Sequence, residues 1–450
     1  MGNTLSYGPA RRGARVHAGR GLRGLVGGSV LVGSVAVGGG ALVASAPAGA
    51  EPTSSGTCTP ALAPTPAQDA ATTGVTSKSI TVGNVSIISG PVPGLFEGAP
   101  VGVKAYFAMI NAQGGVYGRK LLVDSKDDAF SGQQNQTETQ EAIASDFALV
   151  GSFSLFDGYG CAALANDTAV PDVSVTLDSG TNALPNDFSA QPLSQGESLG
   201  PVQYYKKHFP KDTTIGAIVS DVASAKAQWA GQIAGYESQG YKLGYVDFVN
   251  PLQTDFTTDV INMKNKGVDA VDLTDVDWQV AAEFAQNAAT QDWHPGLIFS
   301  GGPVYADQFI SHAGGPAVAN GIQIGQAQAL YLGQDAKTVP AVKQFDTWVK
   351  KVNSSWVPDL YTLFGWASAE MFVQALKAAG PHPTRGEVIA QLKKITAFGA
   401  DGMLGTADPA AKKPSACYLM AVIKNGNFVR EQPTGSGFSC NTTYYSQLGT

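Results

Sequence analysis

From residue 79 onward the apolar and polar positions of the chain switch between two periods. "SITVGNVSII" is an apolar-rich run of strand length, and "GVKAYFAMINAQGG" sets Val103, Phe107 and Ile110 at helical spacing until Gly114 and Gly115 stop it. "KLLVDSKDD" predicts the next strand, "QQNQTETQEAIASD" a helix, "FALVGSF" a strand, "GCAALANDTAV" a helix and "PDVSVT" a strand. The phrase then repeats. "TIGAIVSD", "YKLGYVDFV", "VDAVDLTD" and "GLIFSGG" read as strands, separated by helices over "AKAQWAGQIAGYESQG", "FTTDVINMKNKG" and "WQVAAEFAQNAATQ". Strand–helix alternation with short connections implies parallel strands covered by helices. Because "NAQGGVYGRKLLVDS" is echoed half a protein later by "ESQGYKLGYVDF", the prediction is an α/β protein of two similar lobes rather than a solenoid of short repeats.

Ahead of that pattern the chain changes in kind. "ARRGARVHAGRGLR" is basic without an acid, "LVGGSVLVGSVAVGGGALVASA" is apolar but broken by glycines, and "APAGA" offers small residues of the type signal peptidases accept. Residues 1–50 are therefore expected to be an export signal cleaved near residue 50, with a membrane anchor as the competing reading. Residues 51–78 are Pro-, Ala- and Thr-rich with almost no large apolar side chain, which predicts a disordered linker.

Composition narrows the function. With 44% hydrophobic and 14% charged residues in 450, the chain has material for two ordinary cores. Removing the five arginines of residues 1–50 from 29 basic residues leaves 24 against 36 acidic ones, a formal charge of −12. Such a surface repels phosphate backbones and anionic lipids, so no nucleic-acid partner is expected. Four cysteines suit an oxidising compartment. Cys417 and Cys440 bracket a strand, an Asn-Gly turn and a second strand, so a bridge there would close a C-terminal hairpin; Cys58 would then be free to pair with Cys161, although four cysteines allow three connectivities. "SSGT" before Cys58 lacks the apolar residue of a lipidation box.

Little in the chain points to catalysis. P-loop and zinc-protease spacings are missing, His208, His294, His312 and His382 are scattered singly, and Asp124, Asp127 and Asp128 lack the ligand spacing of a calcium loop. The expectation is no enzyme, no metal and no cofactor.

"ITVGNVSIISGPVPGLFEGAPVGVKAYFAMINAQGGVYGRKLLVDSKDDAFSGQQNQTETQEAI" resembles the type I periplasmic solute-binding proteins of the branched-chain amino acid (Leu/Ile/Val) group. The likeness rests on the Ser-Gly-Pro loop after the first strand, the "INAQGGVYGRKL" helix-to-strand joint and the acidic strand end, and it extends over residues 79–430. It implies two Rossmann-like lobes with parallel central sheets: residues 79–192 with 330–398, and 193–329 with 399–450. Three hinge segments are implied near 189–196, 326–332 and 396–404. It further implies a small-molecule ligand clamped between the lobes and recognition of the closed form by the permease subunits of an ABC importer.

On that pattern "SGPVPGLF" puts Ser89 at the base of the first ligand loop and Leu95 or Phe96 on its aromatic wall. "GSFSLF" supplies Ser152, Phe153, Ser154 and Phe156 where the family grips a ligand carboxylate, and "PDVSVTLDSG" supplies Ser174 and Thr176, with Asp178 expected in solvent. The second lobe departs from the pattern, since "SGGPVYAD" has Gly302 and Pro303 where the family offers an acid to the ligand's ammonium. Asp221, Asp275 and Asp277, at the ends of other strands, are the candidate substitutes. Each polar residue has a structural alternative as a helix cap, and each ring as core; Trp229 and Trp366 are equally open between cleft and core. The predicted function is capture of an amino acid, amide or aromatic acid by an exported, monomeric binding protein, with a ligand-presenting sensor as the alternative.

Overall fold

The computed structural model describes residues 58, 61–92, 94–192 and 196–446, so the expected signal over 1–50 and positions 193–195 of the first crossing segment lie outside the described residues. The first sheet holds β1 (Ser79–Ser86), β2 (Lys120–Asp127), β3 (Leu149–Val150) and β4 (Asp172–Val173), in the spatial order β2-β1-β3-β4, all parallel. After β5 (Gly196–Ser198) comes a second, seven-stranded sheet. It takes β6 (Thr214–Ser220), β7 (Lys242–Val249), β8 (Ala270–Asp272), β9 (Leu297–Ser300), β10 (Gln323–Gln326), β11 (Leu419–Lys424) and β12 (Asn427–Gln432). Its order is β12-β11-β10-β9-β8-β6-β7, parallel from β7 to β10 and antiparallel beyond; β13 (Tyr444–Ser446) pairs with β5.

The order β2-β1-β3-β4 and the order β7-β6-β8-β9 are the same topology, so the repeated sequence phrase is a repeated fold. In each half the second strand lies on one side of the first and the third on the other, leaving a switch point at the strands' carboxyl ends. The β11–β12 hairpin closes on Asn425 and Gly426, with φ of 51° and 70°, the paired left-handed conformation that an Asn-Gly turn adopts at least cost. Cys417 is bonded to Cys440 across this region, and Cys58 to Cys161 on the first half.

The first core is built where helix Gly98–Ala112 lies on helix Leu360–Ala379. They meet through glycines: a Cβ on Gly102 would lie 2.0 Å from the Thr362 carbonyl oxygen, and one on Gly365 2.0 Å from that of Ala99. Trp366 is buried on this interface and Trp229 in the core of the second half, which decides both for core over cleft.

The linker expectation is corrected for residues 61–78. Thr65 and Gln68 form a capping box on helix Pro66–Asp69, the Leu62 amide donates to the Ala165 carbonyl, and the Arg385 amide donates to that of Ala71. Its backbone groups find partners on the first half, and Cys58 tethers it there; composition alone does not register a surface that is already provided.

The chain passes between the halves three times: after β4, after β10 and before β11. The passes run side by side. Gln328 Nε2 donates to Gln191 Oε1 at 3.4 Å, the Ala329 amide to the Met403 carbonyl at 2.8 Å, and the Gly405 amide to that of Ala327 at 2.7 Å.

Candidate ligand cleft

A cavity of about 610 Å³ opens where the carboxyl ends of the two sheets meet. The segments after β1, β3 and β4 face those after β6, β7, β8, β9 and β10 across it. Helix starts and strand ends converge there for the topological reason given above.

Its two walls differ. The wall from the first half is apolar, with Leu95, Phe96, Phe153, Leu155 and Leu177, completed by Leu360, Tyr361 and Phe364 from the start of helix Leu360–Ala379. Four rings pack together: Phe96 lies 4.6 Å from Phe153 and 4.5 Å from Tyr361, while Phe153 lies 5.0 Å from Tyr361 and stacks on Phe364 at 5.9 Å. The opposite wall is polar. Ser224, Gln228 and Gln232 come from helix Ala223–Ser238, Asp275 and Asp277 from the loop after β8, Gln279 and Glu283 from the helix that follows, Gln326 from the end of β10 and Gln328 from the second pass between the halves.

Of the expected site residues, Leu95, Phe96, Phe153, Asp275 and Asp277 line the cavity. The hydroxyl set is corrected. Ser89 donates to Asp127 Oδ2, and the amides of Ile88 and Ser89 donate to Oδ1 of the same carboxylate. Ser152 Oγ accepts from the Val85 amide at 3.0 Å, and Ser154 donates to Asp128 while accepting from the Phe156 amide. Ser174 donates to Asp172, and Thr176 to Asp187 at 2.6 Å. The physical reason is hydrogen-bond satisfaction within the first half: four of the five donate to a neighbouring carboxyl group and Ser152 accepts from a strand amide. Burial raises Asp172 and Asp187 above the ordinary carboxyl range, Asp172 further through Asp187, while Lys412 pulls Asp187 back. Phe156 also leaves the set, its ring lying against Phe130 at 5.2 Å and Tyr159 at 6.2 Å. Asp221 pairs with Lys226 on the surface; its neighbour Ser220 lines the cleft instead. Asp178 caps the short helix Ser179–Asn182.

Asp277 Oδ1 accepts from the Gln279 amide at 3.0 Å, capping helix Trp278–Thr290, and the Tyr361 hydroxyl donates toward the same carboxylate from the other wall. Burial lifts its carboxyl to about 7. Asp275 rises well above its ordinary value, chiefly through burial and then through Asp272; Gln232 Nε2 at 3.5 Å is a weak partner for one oxygen, and Oδ2 has no partner. Buried oxygens of Ser224, Gln232, Gln279 and Gln326 are likewise unpartnered, so the polar wall carries unused hydrogen-bonding capacity that the apolar wall lacks.

The residues from 79 to 427 match the model of the periplasmic binding protein family. The chain belongs to that family. A Leu/Ile/Val-binding protein homolog 8 from Brucella abortus is 24% identical over 317 residues, covering 66% of this chain and 75% of the relative. Two solved structures share the fold: a fatty acid ABC transporter substrate-binding protein from Thermomonospora curvata, with a TM-score of 0.70, 18% identity and coverage of 82% of this chain and 94% of that one, and an ABC transporter solute-binding protein from R. palustris in complex with benzoate, with a TM-score of 0.65, 16% identity and coverage of 81% and 97%. This family member is thus a solute-binding protein and not an enzyme, of a family that works outside the cytoplasm; among the described residues no helix is long and apolar enough to cross a membrane. Gly196-Glu197-Ser198-Leu199-Gly200 does fit the G-x-S-x-G spacing of hydrolases. Ser198, however, has ordinary extended backbone (φ −71°, ψ 117°) and its hydroxyl donates to the Ala416 carbonyl, so the strained, exposed nucleophile that spacing requires is not formed.

The glutamines of the polar wall were the part that the sequence hid. Gln228 and Gln232 are one helical turn apart, and Gln326 and Gln328 flank a single residue, but glutamine is an ordinary surface residue and neither pattern marks a cleft. His312 lines the cavity too, 3.3 Å from Glu283, because the turn Phe309–His312 folds back over the helix after β8.

Proposed function

We propose that this protein is the exported capture component of an ABC importer: a monomer that closes two lobes on a small amphipathic solute and presents the closed form to permease subunits. The lobes are 79–192 with 330–398 and 193–329 with 399–450; the adjacent passes at Gln191, Ala327–Ala329 and Met403–Gly405 serve as the hinge. Release of residues 1–50 precedes this work. The observation that carries the reading is the cavity itself, at the facing carboxyl ends of two like sheets with an aromatic wall on one side and amides and carboxyls on the other. Leu95, Phe96 and Phe153 cover the solute's apolar body, and Asp275 and Asp277 meet its head. The relatives named for fatty acids and benzoate support an apolar body, and the Leu/Ile/Val homologue supports a solute of modest size.

A thermal-shift screen of amino acids, amides, amines, fatty acids and aromatic acids tests it. A true solute at 100 times its Kd stabilises the folded state by about 2.7 kcal/mol, a shift of several degrees. No shift across all classes, including compounds with aromatic bodies, would remove the proposal.

A further inference from the structure

We infer that the cleft selects a protonated amine carrying an apolar body and discriminates against carboxylates. This rests on the solute-capture reading and names the charge of the head group that reading leaves open.

Among the described residues lining the cavity there is no lysine and no arginine, while three carboxyl groups, Asp275, Asp277 and Glu283, line its polar wall. His312 is already engaged by Glu283 at 3.3 Å. Asp275 Oδ2 is buried and unpartnered, and an ammonium N–H is the donor that supplies both a hydrogen bond and the opposite charge.

The backbone amides at the first half's strand ends are spent elsewhere. The amides of Ile88 and Ser89 donate to Asp127, those of Leu177 and Asp178 to Asp157, and that of Phe156 to Ser154, while the Phe153 amide donates to Ser86 Oγ and the Val85 carbonyl. Three helices open on the cleft, and a helix start attracts anions. Asp359 caps Leu360–Ala379 and Asp277 caps Trp278–Thr290, so at two of the three a first-turn amide already donates to the protein's own carboxyl group. The third, Ala223–Ser238, has no side-chain cap; at its first turn Asp221 is paired with Lys226, neither of which lines the cavity, and the acid that does line it, Asp275, stands beside Gln232 further along the same helix.

The test is calorimetric titration of the whole exported protein at pH 8 with three matched probes: 3-phenylpropylamine, 3-phenylpropionate and 3-phenylpropionamide. The amine is expected to bind at least tenfold more tightly than the acid, with the neutral amide between them. In Asp275→Asn the amine loses at least tenfold and the neutral amide less than threefold; Asp277→Asn is the second variant should the first not fold. Equal or tighter binding of the acid, or an amine affinity indifferent to both substitutions, overturns the inference and leaves solute capture standing. Failure of all three probes to bind overturns the inference together with the aromatic-bodied solute class.

Discussion

At the scale of residues, the decisive detail is that the five hydroxyls are engaged by protein groups. Ser154 touches Asp128 and the Phe156 amide, both part of the first half's interior, and its removal leaves a buried carboxyl short of a donor. Ser154→Ala is therefore expected to cost about 1–3 kcal/mol in urea unfolding. Solute affinity of the folded variant should stay within threefold of the parent; a tenfold loss of affinity with unchanged stability would return Ser154 to the ligand set. Phe153→Ala separates the two walls in the opposite way. That ring belongs to the aromatic cluster and to the cavity at once, so both the melting temperature and the affinity for an aromatic-bodied solute should fall.

Among elements, the contact between helices Gly98–Ala112 and Leu360–Ala379 matters most, because the second carries Tyr361 and Phe364 to the cleft on its first turns. Alanine in place of a helical glycine normally stabilises by about 1 kcal/mol. At Gly365 the added carbon would sit 2.0 Å from the Ala99 carbonyl oxygen, so the helices must part. Gly365→Ala is expected to destabilise by about 1–3 kcal/mol net, read in denaturant titration, and to weaken solute binding by displacing Tyr361. A neutral or stabilising result would mean that this crossing does not position the wall.

For the whole molecule, buried acids set the response to pH. Burial raises Asp277 to about 7 and Glu370 to about 8, with Asp401 adding to the latter. Between the unfolded values near 4 and these folded values, the native state holds protons that the unfolded chain has released. Stability therefore falls as pH rises through that window. The melting temperature should be higher at pH 5 than at pH 8 in scanning calorimetry; a rise toward alkaline pH would show these carboxyls to be ionised in the native state.

How much was legible in the chain follows the range of the interactions. Strand and helix runs, the repeated phrase and the Asn-Gly hairpin depend on local period and turn chemistry, which a sequence carries in full. The family likeness added the ligand loops that carry Leu95, Phe96 and Phe153, and those three side chains line the cavity. Where the Ser152, Ser154 and Ser174 hydroxyls point was not legible, because it is settled by the groups the fold brings beside them: the Val85 amide, Asp128 and Asp172. Residues 61–78 looked unstructured because their partners, Ala165 and Arg385, lie about 100 and 310 positions away. The sequence by itself determined which segments become strands and helices and that they do so twice. Only the tertiary structure decided which polar groups remain unspent, because hydrogen-bond satisfaction is an account between distant residues, and that remainder lies on the Asp275 wall of the cavity.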